Sequence, residues 1–306
     1  MSRAQRVSVV VPAHDAETTV ARAVRSALAQ SHVPHEVVVV DDGSTDATGS
    51  QVESVEGPVR LVRQPQGGPS AARNAGVAAT SGEWIAFLDA DDAWHPAKLE
   101  YQLRHADGAV LVASDWTREF AEPAVSDDVH SSRISTRDIL LMNRFQTSTV
   151  LLRRSAFDAA GGFDPSLDGV EDWDMWLRAS KHGAVVKLDW PFVHYVDVST
   201  GYSKRSERVY RKGLVMLERE LGGRRGHDER AILAYHHLRW ATAFWLMHDR
   251  ALALACVDAC RREGLLSAVP EATLRYLVPY FAWRADRRIR RYAGRLNQTR
   301  GGSGRR

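Results

Sequence analysis

Acidic and histidine side chains cluster after three apolar segments in the first half of the chain. The segments that carry them are Pro12–Glu17, Asp41–Ser44 and Asp89–Asp92. Carboxylates repel phosphate, but a hard divalent cation bound to carboxylate oxygens can bridge to a phosphate group. Aspartate can also accept hydrogen bonds from ribose hydroxyls or from a base N–H. These residue types therefore indicate a site for a phosphorylated ligand, provided that the fold brings the three segments together.

Each of the three segments follows a predicted β-strand. The predicted strands are Val7–Val11, Glu36–Val40, Val59–Arg63 and Trp84–Leu88, and the helices between them are Glu17–Gln30, Asp46–Val55 and Pro69–Thr80. Strands that alternate with helices of this length imply βαβ units and a mostly parallel sheet. Because ligands bind such sheets at the carboxyl ends of the strands, we expect the three segments to meet at one edge.

The pattern changes near residue 205. Before it we predict helices Pro96–His105 and Asp172–His182, strands Ala109–Ala113 and Thr147–Leu152, a polar loop Glu119–Ser135, and two short strands around Pro191 within Ala184–Val196. Beyond it we predict only helices: Arg208–Leu221, Asp228–Met247, Ala251–Glu263 and Glu271–Arg295, the last interrupted at Pro279. The expected organisation is an α/β domain over residues 1–205, a helical region over 206–296 and a flexible basic tail over 297–306.

The composition is that of an ordinary globular protein with unevenly distributed charge. Apolar residues make up 44% of the 306 residues and charged residues 26%, which suffices for a packed core. The formal net charge is +3, yet nine Arg and one Asp lie between Arg284 and the C-terminus.

No apolar run is long enough for a transmembrane helix, and Val7–Val11 is too short for a signal-peptide core. Cys256 and Cys260 lie in an apolar helical stretch, which favours buried free thiols and a cytoplasmic location.

The basic C-terminal segment predicts an anionic partner. On a helix, its apolar stripe would be Phe281, Ala285, Ile289, Tyr292 and Leu296, and its basic stripe Arg284, Arg288, Arg291 and Arg295. Two such stripes predict a peripheral position at the anionic inner face of the cell membrane. The alternative is a helix packed on the rest of the protein with its basic face in solvent. No nucleic-acid partner is expected.

Three common ligand-binding motifs are disfavoured. Asp89 and Glu100 have the spacing of the first and last positions of a calcium loop, but Trp94 occupies the position where glycine is needed. No G-x-G-x-x-G or G-x-x-x-x-G-K-[ST] pattern follows a predicted strand, which argues against a dinucleotide fold of the usual kind and a P-loop. Taken alone, Asp41–Ser44 is equally well a turn that leads into a helix N-cap.

Taken together, the segments resemble family 2 glycosyltransferases. The resemblance rests on Val7–Asp15, Val39–Asp46, Gly68–Gly76, Gly82–Asp92, Gly162–Asp164 and Glu171–Arg178, which occur in the expected order. It covers about residues 6–200. It implies an α/β class of the GT-A type, that is, a Rossmann-like, mostly parallel sheet with flanking helices, here followed by an α-helical C-terminal extension.

The resemblance also implies roles for individual residues. The Asp-X-Asp motif of the family falls on Asp89-Ala90-Asp91, so Asp91, with Asp89, would bind the Mg²⁺ or Mn²⁺ that bridges the donor diphosphate. The residues expected to bind the nucleotide sugar are Pro12, Ala13, His14, Glu17, Asp41, Asp42, Arg73, Asp89 and Ala90. Either Asp41 or Asp42 would contact the base. The alternative for Arg73 is an ordinary place on a helix surface.

The Glu-Asp motif of the family falls on Glu171-Asp172 and implies that Asp172 is the general base. The alternative is an acid in the first turn of a helix, where the helix dipole favours the ionised form. The competing acids nearby are Asp164, Asp168 and Asp174. Trp94 could stack on a sugar or pack in the core, and Trp173 and Trp176 are expected in the core. His194 could be a ligand of the metal or the phosphate, or a structural residue.

The implied function is an inverting, metal-dependent transfer of a sugar, with UDP-hexose as the expected donor. The expected acceptor is a growing cell-surface glycan or a lipid-linked acceptor. Two alternatives stay open, a non-catalytic nucleotide-sugar-binding protein on a GT-A fold and a sugar nucleotidyltransferase. The presence of Asp89, Asp91 and Asp172 together argues against the first. The acidic loop after the first strand argues against the second, which normally needs a glycine-rich basic loop there.

Overall fold

The computed structural model describes residues 5–118, 125, 129–196, 206–278, 280 and 281. The chain divides into two compact units, residues 1–212 and residues 213–306. The described strands are β1 (Val7–Ala13), β2 (Glu36–Asp42), β3 (Val59–Gln64), β4 (Trp84–Phe87), β5 (Ala93–Trp94), β6 (Ala109–Thr117), β7 (Ser131–Ile134), β8 (Leu151–Arg153) and β9 (Ala184–His194). The described α-helices are α1 (Val20–Leu28), α2 (Thr48–Glu53), α3 (Pro69–Ala78), α4 (Lys98–Arg104), α5 (Thr136–Leu141), α6 (Arg154–Ala160), α7 (Glu171–Ala179), α8 (Ser206–Leu221), α9 (His227–Leu246), α10 (Arg250–Arg262) and α11 (Val269–Ala272).

The nine described strands form one sheet in the order β3-β2-β1-β4-β8-β6-β9-β5, with β7 paired to β9. The first four strands are parallel, as predicted. β8 runs antiparallel to both β4 and β6, while β6 and β9 are parallel to each other. The carboxyl ends of β1, β2 and β4 therefore lie at one edge, and the three acidic segments lie there: two begin in the last residues of β1 and β2, and the third follows β4.

The central strands are buried on both faces, which explains their continuous valine runs. Val37 and Val39 belong to the core that includes α1, whereas Val38 and Val40 pack with Ala72 of α3. Helix α3 approaches β1 very closely at Gly76: a Cβ there would lie 2.4 Å from Cγ1 of Val10. Only glycine permits this approach, so Gly76 determines how closely α3 packs on the sheet.

An aromatic cluster fixes α7 to the sheet. The rings of Phe87 and Phe163 meet edge to face with centroids 5.2 Å apart, and Phe163 meets Trp176 of α7 at 5.8 Å. All three side chains are buried. Such pairs add about 0.5–1.5 kcal/mol each beyond the burial of their area. The cluster therefore holds the start of α7, where Asp172 lies, in a defined position.

The predicted pair of strands around Pro191 is wrong, because residues Ala184–His194 form the single strand β9. Proline lacks an N–H donor and is tolerated in a strand mainly at irregular pairings. Here the register between β6 and β9 shifts on both sides of Asp115, which is the partner of Pro191. The irregular pairing accommodates the proline without ending the strand.

Several shorter elements also differ from the predictions. Thr147–Thr149 forms a 3-10 turn, and the predicted strand there begins only with β8 at Leu151. Strand β7 lies inside the predicted polar loop, whose residues 119–124 and 126–128 lie outside the described residues. Helices α5 and α6 were not predicted, although Ser135 and Asp138 form a capping box at the start of α5.

In the second unit, α9 and α10 are joined by a tight turn in which Asp249 caps α10 by accepting a hydrogen bond from the N–H of Leu252. Cys256 and Cys260 are buried and free, as predicted. None of the described helices combines the length and the hydrophobicity needed to cross a membrane. Most of the predicted helix Glu271–Arg295 and the predicted tail 297–306 lie outside the described residues. The predicted division at 205 and 296 stays a prediction.

Candidate active site

The loop after β1 is tied to the loop after β2 by side chains that accept backbone N–H groups. Asp15 accepts from Thr45 (2.8 Å) and Glu17 accepts from Ala47 (3.0 Å), while the Thr48 hydroxyl accepts from Ala16 (2.7 Å). A turn over Ala16–Thr19 follows, and α1 begins at Val20, later than predicted. Glu17, a predicted nucleotide-binding residue, thus contacts the segment that leads into α2.

His14 lies between these loops and the loop after β3. Its Nδ1 is 3.0 Å from the backbone oxygen of Asp42, and its Nε2 is 3.0 Å from the side-chain nitrogen of Gln66. His14 thus lies between two segments of the predicted nucleotide site and contacts both through its ring nitrogens, next to Pro12 and the buried Ala13.

The two acids at the end of β2 have different surroundings. The Asp42 carboxylate accepts from the backbone N–H groups of Gly67 and Gly68, each at 2.8 Å, and from Gln64 at 2.6 Å. Asp41 accepts one backbone N–H, from Ser44 at 3.0 Å, and lies at the edge of a cleft of about 310 Å³. Asp41 therefore has the less occupied carboxylate of the pair.

The segment after β4 contains three acids in four residues. Asp89 and Asp91 form the Asp-X-Asp motif, with Ala90 buried between them. Burial, and then the charge of Asp89, raise the pKa of Asp91 to about 6. Asp92 is a structural residue: its carboxylate accepts hydrogen bonds from the Ser148 hydroxyl (2.5 Å) and the backbone N–H of Val196 (3.0 Å).

The acidic pair fits a divalent cation, although within the described part of the chain no group of three or more His, Cys, Asp or Glu side chains is arranged to hold a metal alone. Mg²⁺ is usually bound by one or two carboxylates together with substrate phosphates and water, so a protein site of two carboxylates is sufficient. The raised pKa of Asp91 points the same way, because a nearby cation would relieve the repulsion from Asp89.

Arg73 is buried, so the alternative of a helix-surface arginine is wrong. Its guanidinium donates to Asp89 at 2.8 Å and to Glu171 at 2.9 Å. Burial opposes the charge, but the two carboxylates outweigh it and raise the pKa of Arg73. One side chain of α3 thereby joins the Asp-X-Asp segment to the start of α7.

Asp172 lies in the first turn of α7, beside Glu171. One carboxylate oxygen accepts from the side-chain amide of Asn143 at 2.8 Å, and the other accepts from the backbone N–H of Trp173 at 2.6 Å. Burial, and then the charge of Glu171, raise the pKa of Asp172 to about 7. The expectation that the helix dipole keeps this acid ionised is therefore incomplete, because burial and a neighbouring charge outweigh it.

The competing acids have structural partners. Asp174 is buried and accepts from Arg178 at 2.8 Å, Asp164 accepts from the N–H of Ser166, and Asp168 accepts from the Ser70 hydroxyl at 2.5 Å. Asp174 thus stabilises α7, Asp164 stabilises a turn, and Asp168 stabilises the contact with α3. Among the four acids, Asp172 combines a raised pKa near neutrality with a place at the start of α7.

Trp94 packs in the core and does not form a sugar platform. It is 4% exposed, its Nε1 donates to the backbone oxygen of Ser148, and the Lys98 amine lies 4.0 Å from its ring. Trp173 and Trp176 are likewise buried. His194 contacts the backbone oxygen of Arg118 at 3.2 Å, and burial lowers its pKa.

Sequence reasoning missed Asn143. It lies after α5, in a stretch with no periodic pattern, and it becomes a candidate only when Asp172 is seen beside it. No signal in the sequence would have identified it.

The sequence model of Glycosyl transferase family 2 matches residues 8–163, just over half of the chain, so the chain belongs to this family. Among curated relatives, the succinoglycan biosynthesis protein ExoO of Rhizobium meliloti (strain 1021) is 48% identical over 105 residues, 34% of this chain and 30% of ExoO. ExoU of the same strain is 32% identical over 203 residues, 60% of this chain and 59% of ExoU. The chain thus spans less than two thirds of the length of these relatives.

Solved structures show the same fold. TarS 1-349 of S. aureus in complex with UDP-GlcNAc superposes with a TM-score of 0.64 and 20% identity, over 87% of this chain and 82% of that chain. The mannosyltransferase PcManGT from Pyrobaculum calidifontis, in complex with GDP-Man and Mn²⁺, gives a TM-score of 0.57 and 20% identity, over 91% and 82%. The predicted GT-A fold is confirmed.

Proposed function

We propose that this protein is an inverting glycosyltransferase that moves a sugar from a nucleotide-diphosphate sugar, a UDP-hexose first, to an acceptor hydroxyl. The observation that carries the proposal is that Arg73 makes two ion pairs, one with Asp89 and one with Glu171. Asp89 belongs to the Asp-X-Asp motif, and Glu171 is the neighbour of Asp172. A candidate for donor binding and a candidate proton acceptor thus belong to one connected set of side chains.

The nucleotide sugar is proposed to lie along the carboxyl ends of β1, β2 and β4. The β1 end offers the imidazole of His14 beside Pro12, and the β2 end offers carboxylates for hydroxyl or base N–H groups. The residues proposed to bind the donor are Pro12, Ala13, His14, Glu17, Asp41, Asp42, Arg73, Asp89 and Ala90. Arg73 acts at least partly by holding Asp89 in place.

Mg²⁺ or Mn²⁺, held by Asp91 with Asp89, would offset the charge that develops on the departing diphosphate. PcManGT, solved with Mn²⁺, supports this by similarity of fold. We expect EDTA to abolish transfer and added Mn²⁺ or Mg²⁺ to restore it. An Asp91→Ala protein that stays fully active in the presence of chelator would contradict the metal proposal.

Asp172 is proposed to take the proton of the acceptor hydroxyl. As the proton leaves, the acceptor oxygen attacks the anomeric carbon from the face opposite the nucleotide, and the bond to the diphosphate breaks. A single displacement of this kind inverts the anomeric configuration and needs no covalent intermediate. A base with a pKa near 7 is well matched to this step, because it is ionised often enough and still basic enough.

The names of the relatives support a role in polysaccharide synthesis. ExoO and ExoU are named for succinoglycan biosynthesis, and a hyaluronan synthase of Pasteurella multocida is 29% identical over 199 residues. We infer that the acceptor is a growing cell-surface glycan or a lipid-linked precursor. We further propose a cytoplasmic position at the inner face of the membrane, held by the nine arginines after residue 283.

A donor screen with product analysis tests the proposal. Incubation with UDP-, GDP- and dTDP-sugars and candidate acceptors should release the free nucleoside diphosphate and extend the acceptor by one sugar of inverted configuration. Release of sugar 1-phosphate would instead show a nucleotidyltransferase. Donor binding without any product would show a non-catalytic nucleotide-sugar-binding protein.

A further inference from the structure

We propose that Asn143 is a positioning residue for Asp172: its side-chain amide orients the carboxylate that accepts the acceptor's proton. The catalytic meaning of this inference rests on the proposed function. The contact itself is a property of the fold and can be tested without any sugar transfer.

The contacts fix the orientation of the carboxylate. The Nδ2 of Asn143 donates to Oδ2 of Asp172 at 2.8 Å, and the N–H of Trp173 donates to Oδ1 at 2.6 Å. Each carboxylate oxygen can accept two hydrogen bonds, so each keeps acceptor capacity after these contacts. Rotation of the carboxylate would break both bonds. The remaining lone pairs therefore point in defined directions, as a proton acceptor requires.

Asn143 is itself held in place. Its Oδ1 accepts from the backbone N–H of Phe145 at 3.3 Å, which fixes the amide with its nitrogen toward Asp172. The helix before it, α5, is bonded to α7 and to the residue that follows α7: the Trp173 indole donates to the backbone oxygen of Ile139, and the Ser180 hydroxyl donates to the hydroxyl of Thr136 at 3.0 Å. Asp172 lies on α7 and Asn143 follows the end of α5, so the contacts between these elements hold the two residues near each other.

An uncharged hydrogen-bond donor such as Asn143 suits the position beside the Asp172 carboxylate. The charged groups that act on Asp172 are Glu171 on its own helix, which raises its pKa, and Arg73 from α3, which lowers it. A lysine or arginine at position 143 would add a positive charge and make the carboxylate a weaker base. An amide orients the carboxylate and favours its ionised form without adding a charge.

The direct test is the pKa of Asp172, read by ¹³C NMR of protein labelled at the aspartate carboxyl carbons in metal-free buffer. The Asp172 signal is assigned by its loss in Asp172→Asn. We expect the pKa to rise in Asn143→Ala, which removes the donor, and to rise further in Asn143→Asp, which adds a like charge, by roughly one unit or more. Thr136→Val, which removes the bonds between α5 and Ser180 away from Asp172, should leave the pKa unchanged.

An unchanged pKa in both Asn143 variants, or an equal rise in Thr136→Val, would overturn the inference. Where transfer is measurable, Asn143→Ala should lower kcat by roughly 10-fold with the KM for the donor unchanged, because only the alignment of the base is lost. Absence of transfer by the wild-type protein would contradict the proposed function instead, and the NMR titration would still decide the role of Asn143.

Discussion

Asp172 is subject to opposing influences from its immediate neighbours. Burial and the charge of Glu171 raise its pKa to about 7, while the bonds from Asn143 and Trp173 and the charge of Arg73 act in the other direction. An exposed aspartate has a pKa of about 3.9, so it would be ionised at neutral pH but would be a poor proton acceptor. The local environment therefore converts an ordinary acid into a base matched to neutral pH.

We expect the pH dependence of transfer to report this environment. Only the carboxylate accepts a proton, so kcat/KM should be level above about pH 7 and fall about tenfold per pH unit below it. In Glu171→Gln the repulsion is removed, and the acid limb should move to lower pH. Steady-state rates of both proteins between about pH 5 and 9 would check this. A wild-type limb near the ordinary aspartate value, or a limb that moves upward in Glu171→Gln, contradicts the assignment.

At the scale of elements, Arg73 connects α3, the end of β4 and the start of α7. Replacing it with methionine leaves Asp89 and Glu171 without their buried partner. Breaking a buried pair from one side typically costs about 3–5 kcal/mol of unfolding free energy. We expect a loss of this size for Arg73→Met in urea denaturation followed by circular dichroism.

Arg104→Met is the matched control, because Arg104 pairs with Glu100 at the surface and both side chains are more than a third exposed. Its loss should stay below about 1 kcal/mol. Equal, small losses in the two variants would mean that Arg73 does not join these elements energetically.

The elements of the first 90 residues are predictable because apolar period, strand length and turn residues agree there. Beyond them, β9 continues through Pro191 only because β6 is irregular opposite it, and β7 and α6 are too short to show a period. The acids of the site, such as Asp89 and Asp91, were predictable because they occur at the ends of predicted strands. Their partners were not: Arg73 and Glu171 are 98 residues apart, and only the folded chain brings them together.

At the scale of the whole molecule, exposed large apolar side chains are unevenly distributed among the described residues. The first unit has Val33, and the second unit has Val215, Trp245, Leu246, Met247, Leu254, Val257, Leu266, Val278 and Phe281. Three of these are consecutive at the C-terminal end of α9, Trp245 to Met247, and Arg250 lies 5.5 Å from the Trp245 ring. Apolar surface with tryptophan and arginine is typical of membrane-associated proteins.

We expect the protein to co-sediment with vesicles that contain anionic lipid. Because residues 284–306 hold nine arginines, a variant without them should lose most of this binding. Each arginine near such a surface contributes roughly 1 kcal/mol. A full-length variant with these nine arginines changed to glutamine separates charge from length and should also bind weakly. Binding that ignores anionic lipid, or that survives both changes, would show that the basic segment is not the membrane contact.

Asp172→Asn tests most directly whether Asp172 acts as the base of a sugar transfer. The change keeps the size of the side chain and an acceptor for the amide of Asn143, but removes its basicity. The raised pKa means that Asp172 lowers the stability of the folded state progressively between its ordinary pKa of about 3.9 and about 7, with no further change above that. At pH 8 Asp172→Asn removes this cost, but its new NH₂ group faces the N–H of Trp173, so the fold of the variant is checked by circular dichroism.

The measurement is turnover and donor affinity on the same preparation of Asp172→Asn, with Asp174→Asn as the control acid. General-base help is typically worth about 10²–10⁴-fold. We expect near-normal donor binding by titration calorimetry and a loss of at least about 100-fold in kcat for Asp172→Asn. Retained turnover in Asp172→Asn, or an equal loss confined to Asp174→Asn, would contradict it.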